Sequence, residues 1–177
     1  MLPRMGVTIR FAGPGDAETL YRFIVELAEY EREPDAVEVT AAELRAQLSE
    51  AVPPFECLLA EQDGDACGFA LFFHNYSTWR GRPGIYLEDL YVPEASRGAG
   101  VGAALLAALA GLARERNCRR VEWAVLNWNT PAIGFYESIG AMPQSDWTVY
   151  RLTDDPLEAL AQGAPTVGPA PSAPPTA

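Results

Sequence analysis

The chain contains no lysine; all 13 of its basic residues are arginine. That excludes a Walker-type phosphate lysine, a Schiff-base lysine and a lysine general base. Histidine is nearly as scarce. His74 is the single one, and it sits in the apolar run FALFFH, so it reads as a strand residue and not as a member of a Ser-His-Asp triad. Cys57, Cys67 and Cys118 are odd in number and lack metal-ligand spacing, which reads as reduced thiols and predicts no metal site. No apolar run approaches the ~20 residues of a membrane span. The opening MLPRMGVTIR also lacks the apolar stretch of a signal peptide. A soluble, cytoplasmic protein with no membrane partner is therefore expected. Positive charge is short as well: 24 acidic residues face 13 basic ones, for a net charge of −11. This argues against a nucleic-acid partner, whose phosphates require clustered Lys and Arg. It suits a cationic substrate, although many plain soluble proteins are equally acidic.

What is present is a globular composition, 49% hydrophobic over 177 residues, enough for one domain with a sizeable core. Val7 to Ala12 reads as a strand. GPGD then opens a helix in which Leu20, Phe23, Ile24, Leu27 and Ala28 recur at helical spacing, and Pro34 stops it. Thr40 with Glu43 forms a capping box for a second short helix. Two apolar runs around Asp63-Gly64 read as an antiparallel hairpin. After the turn RGRPG comes the strand IYLEDLYV, then a glycine loop and a helix to about Asn117. RRVEWAVLNW reads as a strand, NTPAIGFYESIG as a helix with Pro131 in its first turn and Gly140 as its C-cap, and Asp146 to Leu152 as a last strand. The domain is expected over residues 7–160, preceded by an extension over residues 1–6. A Pro/Ala-rich tail over residues 161–177 cannot bury a core and is expected to be disordered. The element order predicts an α/β mixed sheet, antiparallel in its first half and parallel around the glycine loop, flanked by helices.

The loop reads Arg97-Gly98-Ala99-Gly100-Val101-Gly102-Ala103 at the start of a helix. A helix N-terminus exposes unpaired N–H groups and partial positive charge, and glycines let an anion approach several of them. One glycine would suffice for a tight turn; three beside an arginine point to a phosphate or pyrophosphate. GAGVGA also fits a dinucleotide fingerprint, and Glu122 falls 20 residues after Gly102 where a ribose-binding acid is expected. Against that reading, VPEAS separates strand from glycines, three strands come earlier, and Glu122 lies near the start of its strand.

Taken in order, IYLEDLYV, the R-x-x-G-x-G loop, LNWN and FYESIGA resemble the GCN5-related N-acetyltransferases (GNAT), and within them the diamine acetyltransferases of spermidine/spermine and thialysine type. The resemblance implies acetyl-CoA as co-substrate, its pyrophosphate on the amides of Gly98 to Gly102 beside Arg97. It implies a pantetheine arm pairing like an extra strand with Leu90, Tyr91 and Val92, and further cofactor contacts from Asn129 and Tyr136. Tyr136 matches the general acid that returns a proton to the leaving thiolate, and Glu88 the residue that takes one from the ammonium. In a regular strand Glu88 and Asp89 face opposite ways, which a β-bulge would change. Tyr30 and Glu31 match acceptor contacts, as do Glu122, Trp123 and Ala124, and a homodimer is implied.

The spermidine/spermine branch carries an acidic residue within the stretch that here reads Tyr76-Ser77-Thr78-Trp79, and Ser77 offers no charge to a distal ammonium. The expected activity is thus acetyl transfer from acetyl-CoA to a primary amine of a small cationic acceptor, thialysine- or lysine-like in preference to a diamine or polyamine, by direct attack in a ternary complex. A nucleotide-dependent oxidoreductase and a non-catalytic acyl-CoA-binding module are the alternatives.

Overall fold

The computed structural model describes residues 6–170. Met1 to Met5 of the expected extension and the end of the expected tail lie outside the described residues. The chain divides into two compact units, one up to Thr130 and one from Pro131 onward.

The first unit contains β1 (Val7–Phe11), α1 (Ala17–Glu31), α2 (Ala41–Leu48), β2 (Glu56–Gln62), β3 (Asp65–Ser77), β4 (Arg82–Tyr91), α3 (Val101–Glu115) and β5 (Val121–Glu122). Local chemistry sets the boundaries. α1 ends where Arg32 turns left-handed at φ 68° and its N–H reaches back to Ala28 and Glu29, with Pro34 two residues on. The expected capping box is present at α2: Thr40 Oγ1 accepts the Glu43 N–H at 3.2 Å, and Glu43 Oε2 accepts the Thr40 N–H at 2.8 Å. Asp63 and Gly64 both take positive φ, 53° and 91°, as a two-residue hairpin between β2 and β3 requires.

The strands form one mixed sheet in the order β1-β2-β3-β4-β5, with the first three pairings antiparallel and β4–β5 parallel across the α3 crossover. On one face Ala17, Leu20, Phe23 and Leu44 of α1 and α2 pack against Cys57, Leu59, Phe69, Leu71 and Tyr91. The other face buries Leu58, Ala60, Ala70, Phe72 and Leu87, beneath Val101, Leu105 and Leu109 of α3. α3 comes close to the sheet at Gly68, where an added Cβ would sit 3.0 Å from both Tyr91 O and Val101 Cγ1.

Two irregularities shape the functional end. In β3 Ala60 pairs Gly68 while Glu61 pairs Ala66, leaving Cys67 as an extra residue. In β4 Leu71 pairs Asp89 while Phe72 pairs Leu87, so Glu88 is extra. This second bulge explains a correction. The strand expected across RRVEWAVLNW shortens to Val121–Glu122, pairing Ile85 and Tyr86 only. A bulge bends its strand, and this one lies directly beyond Tyr86, the last β4 residue paired with β5.

The second unit contains α5 (Asp154–Ala161) and all but the first residue of α4 (Thr130–Ser138). Pro131 falls in the first turn of α4, and Gly140 follows its end at φ 89° with its N–H donating to Glu137 O at 3.0 Å. The strand expected over Asp146 to Leu152 is absent. Its aromatic and β-branched residues favour strand, but a strand needs a neighbouring edge, and the described residues of the second unit contain no other strand. Trp147, Val149, Tyr150 and Leu152 are exposed there. α5 was not expected from the sequence; its helix reaches Ala161, and residues 164–170 beyond are irregular and exposed.

Replacing Gly68 by Ala should destabilise the protein by about 1–3 kcal/mol, because neither the Tyr91 carbonyl nor Val101 has room to yield. Urea unfolding should show a lower midpoint with an unchanged slope.

Candidate active site

After Tyr91 the chain leaves the sheet through Pro93 and a short 3-10 turn, Glu94–Ser96, and then enters the glycine loop. Gly98 and Gly100 take φ of 75° and 86°, and Gly100 is the N-cap of α3 with no side chain to cap it. The first backbone bond into α3 runs from Ala104 N–H to Gly100 O, at 3.0 Å. Among the described residues, the amides from Gly98 to Ala103 have no backbone acceptor. A Cβ built on Gly98 or Gly100 meets nothing within 4 Å, so the space in front of those amides is open. α3 has no acidic residue in its first turn to offset its positive end. Val101, Leu105 and Leu109 are buried and hold the helix in place. These features together present a row of open donors at a positive helix end, chemistry that suits an anion.

Beside the loop runs the second half of β4. Past Tyr86 it pairs with β3 on one side only, and its other backbone edge has no strand next to it among the described residues. Leu90, Tyr91 and Val92, expected to carry a cofactor arm, lie on that segment. Burial first, and then a hydrogen bond with Glu26, hold the Tyr91 phenol above its usual range.

The bulge separates the two carboxylates. Glu88 is exposed. Asp89, opposite Leu71, faces the α1 side of the sheet and is half-buried. Burial chiefly, and then the charges of Glu88 and Glu31, push the Asp89 carboxyl up to about 6. Burial also raises Glu31, in the last turn of α1. None of the three is ion-paired among the described residues, so together they form a field that a cation would relieve.

Tyr30 joins three segments. Its hydroxyl donates to Asn129 Oδ1 at 2.9 Å, and Asn129 is only 8% exposed. The Arg97 guanidinium lies 4.8 Å from the Tyr30 ring centre and 6.0 Å from that of Tyr91, and Arg97 Nε donates to Val92 O at 2.9 Å. Trp128 tilts against Tyr30 with ring centres 5.9 Å apart, and Arg32 lies 4.4 Å over the Trp128 ring. Sequence reasoning missed Trp128 and Arg32, and placed Arg97 by its charge, its planar fork and its position in the R-x-x-G-x-G loop. The only signal for Trp128 was its place in LNWN.

The remaining expected residues are placed as follows. The Glu122 carboxylate accepts from Asn75 Nδ2 at 2.8 Å and lies 2.8 Å from Arg120 Nε, so its charge is already matched within the sheet. Trp123 and Ala124 follow the end of β5, half-buried and exposed respectively. Tyr136 belongs to the second unit, half-buried in α4, with its ring 5.5 Å from Phe135 and its carbonyl accepting from Ile139 and Ala141. His74 lies in β3 near Glu56 and Arg116, a strand residue as expected.

Residues 18–141 match the acetyltransferase (GNAT) family. The chain is 36% identical over 166 residues to thialysine N-epsilon-acetyltransferase of Bos taurus, covering 88% of this chain and 97% of that one. It is 44% identical over 93 residues to L-ornithine N5-acetyltransferase of Arabidopsis thaliana, covering 52% of this chain and 41% of that one. Among solved structures, an integron cassette protein from the mobile metagenome of V. cholerae superposes with a TM-score of 0.75 at 27% identity, over 90% of this chain and all of that one. The open amides at the head of α3, the unpaired edge of β4 and these likenesses agree: the chain belongs to the GNAT family of acetyltransferases.

Proposed function

We propose that this enzyme moves an acetyl group from acetyl-CoA to the primary amine of a small cationic acceptor, a thialysine- or lysine-like amino acid. The observation that carries the reading is the open row of amides from Gly98 to Ala103, set at the end of a strand edge that presents Glu88 and Asp89. The amides and the α3 dipole suit a diphosphate, and the free edge of Leu90 to Val92 suits an amide-bearing arm. The acceptor class rests on the unpaired carboxylates Glu31, Glu88 and Asp89, and on the thialysine and ornithine enzymes that the chain resembles. Ser77 supports a short acceptor. It is 6% exposed and its Oγ accepts the Arg80 N–H at 3.2 Å, so this position offers no charge to a distant ammonium.

Acetyl-CoA supplies a thioester carbonyl that a neutral amine attacks. The chain has to position it and move protons. The loop amides and Asn129 hold the carrier, and a β4 amide, taken as that of Leu90, donates to the thioester oxygen. An aliphatic ammonium with a pKa of roughly 10 must lose its proton. Glu88, exposed at the bulge, takes it, while Asp89 and Glu31 attract and orient the cation. The Tyr136 phenol gives its proton to the departing thiolate. Transfer is direct: the Cys57 and Cys67 thiols are buried and pushed up by burial, which disfavours an acyl-cysteine. Three free cysteines suit a cytoplasmic setting, and the family likeness supports a homodimer.

Free-thiol release from acetyl-CoA across a panel of thialysine, lysine, ornithine and spermidine tests the reading; no release with any amine would leave only an acyl-CoA-binding module. Tyr136→Phe should lower kcat by about 10²-fold or more with little change in KM for acetyl-CoA. Glu88→Gln should cost about 10-fold or more in kcat/KM at pH 7 and recover towards pH 9, as solvent supplies more neutral amine. Wild-type rates in both variants across this range would refute the assignments.

Asp89 makes a separate pH prediction. Its folded carboxyl titrates above its unfolded value of roughly 3.9, so the folded state binds that proton more tightly. The ionised group therefore costs stability fully above pH 6, and the cost vanishes as pH falls towards 4. Asp89→Asn should melt higher than wild type at pH 7.5, with the gap closing below pH 6. The wild-type rise in amine KM below pH 6 should be absent from the variant.

A further inference from the structure

We propose that Tyr30 is a positioning residue for the coenzyme, its hydroxyl orienting Asn129 while its ring seats Arg97. The inference rests on acetyl-CoA binding as proposed above.

Tyr30 lies in the last turn of α1, the end where Glu31 faces Asp89. Its own contacts lead elsewhere. The hydroxyl donates to Asn129 Oδ1 at 2.9 Å, 99 residues away in sequence. The ring has Arg97 4.8 Å from its centre and Trp128 5.9 Å away. Arg97 immediately precedes the open amides, and Asn129 closes the segment after β5. Tyr30 therefore braces both margins of the coenzyme site at once.

The two contacts use different chemistry and can be separated. The hydrogen bond needs the phenol oxygen and a buried amide acceptor. The stack needs a planar, delocalised cation, which arginine supplies and lysine does not. Arg97 Nε is tied to Val92 O at 2.9 Å, so the guanidinium is held by the residue that follows β4 and by the Tyr30 ring. In this arrangement the arginine holds the loop's entry against α1, and the amides that follow it stay aligned. Because Tyr30 is carried by α1 beside the acceptor carboxylates, any movement of that helix end is felt by the coenzyme clasp.

Calorimetric titration with CoA, together with steady-state kinetics, tests this on Tyr30→Phe, Tyr30→Leu, Arg97→Lys, Asn129→Ala and the Tyr30→Phe/Asn129→Ala pair. Tyr30→Phe should weaken CoA about 3- to 10-fold, about 0.7–1.4 kcal/mol. It should raise KM for acetyl-CoA in parallel while KM for thialysine stays within twofold. Asn129→Ala should match it or exceed it, and the double variant should be no weaker than Asn129→Ala alone, because the shared bond is already gone. Arg97→Lys and Tyr30→Leu should each weaken CoA through the stack. The proposal is overturned if Tyr30→Phe binds CoA as wild type does, if the two single losses simply add, or if the defect falls on the amine alone. Wild-type protein that fails to bind CoA would overturn the coenzyme reading and this inference together. Wild-type binding with an unaffected Tyr30→Phe would overturn only the inference. Tyr30→Phe keeps the ring packing, so the test stands even if Tyr30→Leu does not fold.

Discussion

Between Leu87 and Asp89, β4 carries one residue more than β3 can pair, and the functional end of the molecule follows from that extra residue. The parallel ladder with β5 stops after Tyr86, directly before the bulge, and among the described residues the far edge of Leu87 to Tyr91 has no neighbouring strand. The same insertion puts adjacent carboxylates to different uses. Asp89 keeps the α1-facing position opposite Leu71 and is partly desolvated, while Glu88 is displaced into the open. A regular strand would have sealed the edge against β5 and left no such opening.

Electrostatics then divide this end of the first unit. The head of α3 presents unpaired amides and a positive dipole, with no acidic residue in its first turn. Glu31, Glu88 and Asp89 stand without ion pairs among the described residues, in a protein of net charge −11. The loop amides suit an anion and the carboxylates a cation. Several acids do have arginine partners: Asp16 and Glu61 pair with Arg10, Glu56 with Arg116 and Glu122 with Arg120. These pairs brace the sheet, and Glu122 belongs with them through Asn75 and Arg120.

Much of the frame was legible beforehand because it is written in short-range chemistry. The Thr40–Glu43 box, the Asp63-Gly64 hairpin, the stop at Pro34 and the glycines before α3 each act over a few residues, and each appears where the pattern placed it. The failures share one cause. RRVEWAVLNW and Asp146 to Leu152 have strand-forming side chains, but a strand exists only where another strand offers its edge. The first lost its partner at the bulge, and the second has none among the described residues. α5 escaped notice because it is short and none of its residues is buried.

The amino-acid order alone determined the mixed sheet, the glycine-lined helix start and the family, because turn, cap and loop residues act locally and recur in a set order. Only the tertiary structure decided where Glu88 and Asp89 point, how far β5 extends, and that Tyr30, Asn129 and Arg97 meet. Those outcomes depend on register and on contacts between residues up to 99 positions apart. Spacing along the chain carries no record of either.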